Sequence, residues 1–186
     1  MNTPESYAST AALEAGLSDV QTSPRDSGRV IQIIRRPDRD LRELPSECEL
    51  TPAEGMKGDR WVRHCTRTLA DGALNPDTQL TLMNIRLLEL IASEPARWPL
   101  AGDNFLVDLD LSQANLPAGQ RLEIGEAVIE ITAEPHNGCA KFSKRFGPDA
   151  LKFVNSTEGK ALRLRGVNAQ VVTAGRVHIG DEIKKR

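Results

Sequence analysis

The residue types best suited to chemistry are concentrated in one stretch of the sequence, residues 134–146. Asn137-Gly138 indicates a turn, and after it Cys139, Phe142 and Phe146 recur with the spacing of one helix face. This pattern predicts that the thiol lies on the first turn of a helix, where unpaired N–H groups and the helix dipole stabilise an anion. A cysteine in that position is a candidate for thiolate chemistry.

Positively charged side chains lie close to this thiol in the sequence. Lys141, Lys144 and Arg145 follow Cys139, and His136 precedes it. Each of them would lower the pKa of the cysteine from its ordinary value of about 8.5 and so raise the thiolate fraction at neutral pH. We therefore predict Cys139 and His136 as catalytic residues. The alternatives are a cysteine that fills a strand-to-helix corner as a small apolar side chain, and a histidine that only caps the turn.

Two further motifs carry charge that could bind an anion. Arg163 and Arg165 alternate in a segment that we predict to be extended, so that both would point to one side and could clamp a phosphate. The alternative is a solvated strand face. Two glycines in residues 55–61 predict a tight turn that presents Asp59 and Arg60. The plainer interpretation, which the residues alone favour, is a surface turn in which the aspartate caps backbone N–H groups.

The composition limits the classes of protein to consider. With 186 residues, 39% of them hydrophobic and 27% charged, the chain is long enough for one globular domain with a buried core. Aromatic residues make up only 4%, so aliphatic side chains must fill that core. The net charge of −2 gives no reason to expect a nucleic-acid partner. No apolar run approaches the roughly 18 residues of a membrane helix, so we expect no membrane partner either.

Cysteine usage indicates a reducing environment. Cys48, Cys65 and Cys139 lie far apart in the sequence and do not form the pattern of a disulfide framework. The sequence does not open with a secretory signal pattern, so a cytoplasmic location is expected. One His-x-x-Cys pair and no Cys-x-x-Cys pair argue against structural zinc, and no glycine-rich phosphate loop of the Walker or Rossmann type is present.

Short apolar runs separated by glycines predict a mainly β fold. Asn84 is a candidate cap for a helix over residues 85–92, and Pro148 suits the first position of another helix. Many short strands with few helices favour a closed or partly open antiparallel β-barrel with a few short helices. The predicted strands begin near Gly28 and near Cys48, and follow at 105–111, 121–124, 127–133, 167–174, 177–179 and 182–184.

The ordered part is predicted to form a single domain over residues 28–186. Residues 1–27 are rich in small and polar side chains and offer too little apolar surface to offset the entropy of ordering. We expect them to be a disordered tail, with at most a weak helical turn or two near residues 9–17.

Taken together, these motifs resemble the MOSC domain, the family named after the C-terminal domain of molybdenum-cofactor sulfurase. The resemblance covers about residues 28–184 and is closest to stand-alone members with a His-x-Gly-Cys-Ala-Lys-Phe stretch. Its landmarks, in chain order, are Gly28-Arg29-Val30-Ile31-Gln32-Ile33, Gly55-Met56-Lys57-Gly58-Asp59-Arg60, Gly102-Asp103-Asn104-Phe105, Leu116-Pro117-Ala118-Gly119, Leu122-Glu123-Ile124-Gly125, Gly138-Cys139, Arg165-Gly166 and Gly180-Asp181.

The resemblance implies a β-barrel that handles a molybdenum cofactor of the molybdopterin type, with Cys139 as the ligand of the metal or as a carrier of sulfur for it. Asp103 and Asn104 match a Gly-Glu-Asn-like motif near the cofactor pocket. The chain has Asp103 where many relatives have glutamate, and Gly138 where many have proline. On this basis the candidate cofactor-binding residues are Arg60, Asp103, Asn104, Gly138, Lys141, Arg163 and Arg165.

Three functions are consistent with these observations. The first, implied by relatives, is reductive removal of oxygen from N-hydroxylated small molecules, with electrons from a separate donor protein. The second is sulfur transfer during cofactor maturation, with Cys139 holding a persulfide received from a sulfur-donor protein. The third is a barrel without catalytic activity that binds a small anion or a partner protein.

Overall fold

The computed structural model describes residues 7–65 and 68–186. The α-helices within these residues are short, between 4 and 12 residues, and none of them is long and apolar enough to cross a membrane. The helices are α1 (Thr10–Gln21), α2 (Trp61–His64), α3 (Ile85–Ile91), α4 (Ala140–Phe146), α5 (Pro148–Asn155) and α6 (Thr157–Ala161). The strands are β1 (Ser27–Ile33), β2 (Glu47–Thr51), β3 (Gly55–Met56), β4 (Leu80–Asn84), β5 (Phe105–Asp108), β6 (Arg121–Ile124), β7 (Ala127–Ile131), β8 (Val167–Thr173), β9 (Gly175–His178) and β10 (Glu182–Lys185).

Seven strands close into a barrel in the order β1-β10-β6-β7-β8-β4-β5, and a separate sheet has the order β3-β2-β9. This confirms the prediction of a mainly β barrel with a few short helices. One detail differs from a purely antiparallel barrel, because β4 and β5 pair in parallel. A parallel pair needs a crossover connection, and here the crossover carries α3 and a 3₁₀ helix over Pro95–Ala101.

Two apolar cores lie on opposite sides of the barrel wall. The first core fills the barrel and continues to the three-stranded sheet. It is aliphatic apart from Phe105, Met56 and Cys48. The second core lies between the wall and the helices, and Phe142 and Phe146 of α4 belong to it. Since side chains fill the barrel interior, chemistry has to take place at the rim and between the loops.

Helix α1 corrects the prediction of a disordered tail. Ser9 Oγ accepts a hydrogen bond from the backbone of Ala12 and caps the helix, and Leu13 and Val20 are buried in the second core. The segment has few apolar residues, but the face that receives them is supplied by distant parts of the chain, above all by α3. Residues 1–6, which belong to the same predicted tail, lie outside the described part of the chain.

Local sequence signals position the other helices as expected. Asn84 ends β4, and its side chain accepts a hydrogen bond from the backbone N–H of Arg86 to cap α3. Pro148 occupies the first position of α5, after Gly147, whose φ of 93° few residues other than glycine adopt. The Gly147-Pro148 corner fixes where α4 ends and α5 begins.

Candidate functional site

Cys139 is the N-cap residue of α4, as the apolar spacing predicted, and its side chain is exposed. Phe142 and Phe146 anchor the helix in the second core, with ring centroids 4.9 Å apart. Partial burial acts to raise the pKa of the thiol, but the nearby backbone N–H groups of Phe142 and Lys141 and the charges of Arg165 and Arg145 outweigh it and lower the pKa. The sulfur is therefore both reachable from solvent and shifted toward the thiolate form.

The loop that precedes this cysteine is held by a side chain that the sequence did not reveal. Asn155, the last residue of α5, accepts a hydrogen bond from the Gly138 N–H at 2.9 Å and donates one to the Gly138 carbonyl at 3.0 Å. A Cβ atom at Gly138 would lie 2.8 Å from Cδ1 of Leu151 and 3.0 Å from Cγ2 of Val154, so a side chain here would require these two side chains to shift. Asn155 resembles an ordinary helix end in sequence, and only the fold shows its partner.

A fully buried carboxylate, Asp103, joins two of the other predicted residues. Its Oδ1 lies 2.8 Å from Nε2 of His136, and its Oδ2 accepts a hydrogen bond from Nη1 of Arg165 at 2.7 Å. Arg165 also donates to the carbonyl of Ala101 at 3.0 Å. Burial alone would raise the pKa of Asp103, but the positive Arg165 and the hydrogen bonds from both partners lower it. The three side chains form one hydrogen-bonded unit, which we call the Asp103 triad.

His136 is a neutral member of this triad. Burial, followed by the charge of Arg165, lowers the pKa of the imidazole, although Asp103 acts in the opposite direction. A neutral ring that faces a carboxylate carries its proton on the nitrogen that faces it, so Nε2–H donates to Asp103 and Nδ1 is left as an acceptor. His136 thus connects Asp103 to the loop that leads to Cys139.

Asn104 lies in a second buried network beside the triad. Its Oδ1 accepts a hydrogen bond from Nη2 of Arg36 at 2.8 Å, and its Nδ2 donates to Oδ2 of Asp59 at 3.1 Å. Arg36 also donates to both carboxylate oxygens of Asp59, at 2.9 Å and 3.1 Å. The aspartate caps the backbone N–H of Trp61, as the plainer interpretation of this turn expected, but it is buried rather than presented on the surface.

Arg36 was missed by the sequence analysis. Its position directly after a buried strand, next to Pro37, is the signal that could have suggested a role beyond solvation. Its Nη1 donates to the carbonyl of Gly102 at 2.9 Å, so the guanidinium ties the β1 end of the barrel to the loop that carries Asp103.

A cleft of about 720 Å³ opens beside Lys141, and we call it the cationic cleft. Two of the predicted cofactor-binding residues, Arg60 and Lys141, line it. Neither forms an ion pair within residues 7–65 and 68–186, so their charges are available to an anion. The lining residues are Arg36, Asp38, Arg39, Asp59, Arg60, Trp61, His64, Cys65, Thr78 and Lys141.

A second cavity, of about 340 Å³, lies at the other end of the cysteine loop, and we call it the His136 cavity. His136, Arg163 and Arg165 line it together with Asn168. The prediction of an extended arginine segment is wrong, because residues 162–165 form a turn after α6. Arg163 has a φ of 49° there, and its Nη1 donates to the carbonyl of Leu116 at 2.5 Å. The two arginines therefore do not share one partner.

Taken as a whole, the predicted residues are brought together at one end of the barrel but divided between two cavities. Arg60 and Lys141 line the cationic cleft, His136, Arg163 and Arg165 line the His136 cavity, and Cys139, exposed at the start of α4, is not among the residues that line either one. In the part of the chain that the structure describes, no group of three or more histidine, cysteine, aspartate and glutamate side chains is placed to hold a metal ion. A metal bound here would need to bring most of its own ligands.

The comparisons with known proteins agree with this architecture. A profile of the MOSC domain matches residues 72–184. The fold is similar to that of the YuaD protein from Bacillus subtilis, with a TM-score of 0.64 and 17% identity over 86% of this chain and 95% of that chain. It is also similar to YiiM from Geobacillus stearothermophilus, with a TM-score of 0.58 and 13% identity over 86% of this chain and 75% of that one. YiiM from Escherichia coli gives a TM-score of 0.53 and 19% identity over 85% and 69% of the two chains. None of the curated proteins matches the sequence at a significant level.

Proposed function

Because the chain belongs to the MOSC domain family and exposes a thiol whose pKa is lowered, we propose that it binds a molybdenum cofactor of the molybdopterin type with Cys139 as the metal ligand. The observation that carries this proposal is the combination of the exposed sulfur of Cys139 with an excess of positive charge around it. A thiolate is a suitable ligand for a thiophilic metal, and the phosphate of such a cofactor is an anion that arginine and lysine bind well.

The residues fit such a group in their chemistry. Cys139 offers one soft ligand, which suffices for a metal that brings its own sulfur ligands. Arg60 and Lys141, unpaired within the described residues, are the side chains that would balance negative charge in the cationic cleft. The Asp103 triad would fix His136, which precedes Cys139 in the same loop, since each of its hydrogen bonds is made by a side chain that is mostly or fully buried.

When bound, the cofactor would supply two-electron redox chemistry at the metal. The reaction that we propose is reduction of an N-hydroxylated amine to the amine and water, which consumes two electrons and two protons. The electrons would come from a separate donor protein. Asn155 and Gly138 would keep the cysteine loop in one position during this reaction, because their paired hydrogen bonds fix the loop from both sides of the peptide.

The direct test is the metal content of protein purified from a host that makes molybdenum cofactor. We expect the unaltered chain to retain molybdenum and Cys139→Ser to lose most of it. Cys65→Ser is the matched control, since Cys65 lines the cationic cleft without being the proposed ligand, and it should retain the metal. Equal molybdenum in the unaltered chain and in Cys139→Ser would contradict the proposal.

Sulfur transfer is the second candidate, and the exposure of Cys139 at the rim favours it. A persulfide must be reached by a donor and by an acceptor, and this thiol is the most exposed of the three. Incubation with a cysteine desulfurase followed by intact-mass measurement distinguishes the candidates. A gain of one sulfur atom that is lost in Cys139→Ser would support sulfur transfer, and an unchanged mass would remove it.

A further inference from the structure

The His136 cavity has features of a binding site of its own. Its volume of about 340 Å³ falls in the range of pockets that hold small organic molecules. Its lining shares no residue with that of the cationic cleft, since His136 and Asn137 line this cavity whereas Lys141 lines the cleft. The cavity therefore needs an account separate from the proposed cofactor site.

Cationic side chains outnumber carboxylates at its wall, since Lys160, Arg163 and Arg165 line it together with Glu134. Arg165 is neutralised by Asp103 at 2.7 Å, but Arg163 donates to a backbone carbonyl, which carries no net charge. Neither Arg163 nor Lys160, which also lines the cavity, forms an ion pair with any residue that the structure describes. Burial lowers the pKa of Arg163, which is the expected sign for a guanidinium that loses water without gaining a counter-ion.

The backbone of Arg163 is set by the end of helix α6. Its φ of 49° is in the left-handed region, which is unfavourable for a residue with a side chain unless the surroundings impose it. This conformation places a long cationic side chain at the cavity where glycine would be the easier choice. The hydrogen bonds that end α6 impose it, from the Arg163 N–H to the Lys160 carbonyl at 3.2 Å and from the Leu164 N–H to the Gly159 carbonyl at 2.8 Å.

The remaining polar groups at the wall supply mainly acceptors. Nε2 of His136 is committed to Asp103, and Nδ1 accepts no hydrogen bond from the described residues. Asn168 uses its Nδ2 to donate to the carbonyl of Glu134 at 3.1 Å, and its Oδ1 is likewise without a donor among the residues described. Thr132 donates its hydroxyl to the carbonyl of Asp77 at 2.8 Å. A ligand would need N–H or O–H donors to form hydrogen bonds with these acceptors.

We propose that the His136 cavity binds a small organic anion, a molecule with a carboxylate or phosphate group that pairs with Arg163 and with N–H or O–H donors that reach His136 and Asn168. Arg163 supplies a fork of donors that suits either oxyanion. The site does not depend on the proposed cofactor, so it can be tested on the full chain without molybdenum.

The experiment is a titration of the isotope-labelled full chain with sodium phosphate and, separately, with sodium acetate, followed by two-dimensional amide NMR at constant ionic strength. We expect saturable shifts at residues 132–137 and 160–168. In Arg163→Gly the affinity measured at those amides should fall about tenfold or more, because a charge-assisted hydrogen bond is lost. Glycine accepts the positive φ of this position, so this variant is expected to fold. Stronger binding of phosphate or of acetate would identify the preferred oxyanion.

Two further variants make the result decisive. Arg60→Ala removes a cation from the cationic cleft and should leave the shifts at residues 132–137 and 160–168 unchanged, and Arg163→Lys should retain part of the binding. Shifts that appear only around the cationic cleft, that do not saturate, or that are the same in Arg163→Gly as in the unaltered chain would overturn the proposal. Loss of molybdenum binding in any of these variants would bear on the proposed cofactor and not on this cavity.

Discussion

Cys48 and Cys139 are the same residue type in opposite environments. Cys48 lies in β2, opposite Val177 of β9, and its side chain belongs to the apolar core that the three-stranded sheet shares with the barrel. Burial there raises the pKa of the thiol to about 12. Cys139 stands at the rim, exposed, and its pKa is lowered. The comparison shows that the fold selects which thiol can act as a nucleophile or ligand, through solvent access and local charge.

The largest expected effect is the difference in reactivity between these two thiols. At pH 7.5 the folded protein should be alkylated by iodoacetamide at Cys139 at least about 1000-fold faster than at Cys48, from the thiolate fractions alone. The measurement is the rate of label incorporation into each cysteine peptide by mass spectrometry. In denaturant the two rates should converge, which serves as the control. Similar alkylation rates of the two cysteines in the folded protein would mean that the surroundings of Cys139 do not favour its thiolate form.

Arg165 allows the comparison to be tested by removing part of the charge near the rim. Arg165→Gln should raise the pKa of Cys139, because this side chain is the first of the two cations that lower it, and it should leave Cys48 unaffected. The change also leaves Asp103 buried without its charged partner, which costs about 3–5 kcal/mol of unfolding free energy. Urea unfolding measures the stability, and the pH dependence of alkylation measures the pKa.

A matched control for this variant is Arg121→Gln. Arg121 forms an ion pair with Glu130 at 2.9 Å, but its side chain is 53% exposed, so the loss should be no more than about 1 kcal/mol. If both variants lost equal stability, the Asp103 triad would not be the buried electrostatic unit that the distances indicate.

The cysteine comparison also indicates which structural features can be predicted from local sequence. The position of Cys139 at the start of a helix was predictable from the spacing of Phe142 and Phe146 and from the turn at Asn137-Gly138, since these signals lie within ten residues of it. The burial of Cys48 was not, because it depends on pairing between β2 and the distant β9. Periodicity reports which face of an element is apolar, but it does not report which distant element covers that face.

The Asp103 triad shows the same limit at the level of the site. Asp103, His136 and Arg165 come from three separate segments, and their contacts at 2.7 Å and 2.8 Å arise only when the barrel closes. The family resemblance suggested Asp103 and Arg165, but not that Arg165 is bound to Asp103 while Arg163 donates to the backbone carbonyl of Leu116. Helix α1 was missed for a related reason, since α3 and its neighbours supply the surface on which Leu13 is buried.

Acidification should lower the unfolding free energy of the protein through protonation of His136. The pKa of the folded imidazole is lowered, whereas in the unfolded chain it is about 6.5. Below about pH 6.5 the unfolded state therefore binds a proton on this residue that the folded state does not yet bind, and the unfolding free energy falls as the pH falls toward the folded pKa. His136→Gln keeps a donor toward Asp103 without this titration and should show a smaller loss between pH 7 and pH 5.5.

Chemical denaturation at several pH values measures this difference. The other two histidines, His64 and His178, are present in both variants, so any contribution from them cancels when the two stability curves are subtracted. Identical pH dependence in the unaltered chain and in His136→Gln would show that His136 is as easily protonated in the folded protein as in the unfolded chain. The lowered pKa of Asp103 has the same sign but acts only at much lower pH.

The smallest effect is expected from a substitution of Asn155. Its side chain holds the loop before Cys139 and is not proposed to take part in the chemistry of the sulfur. Asn155→Ala removes the two hydrogen bonds to Gly138 and should cost about 1–2 kcal/mol of unfolding free energy. Because the loop is then less fixed, the alkylation rate of Cys139 should change while that of Cys48 stays the same. Asn137→Ala, a neighbour that makes no such pair of bonds, is the control. If alkylation of Cys139 responded equally to both changes, the position of the thiol would depend on the turn as a whole and not on the clamp from α5.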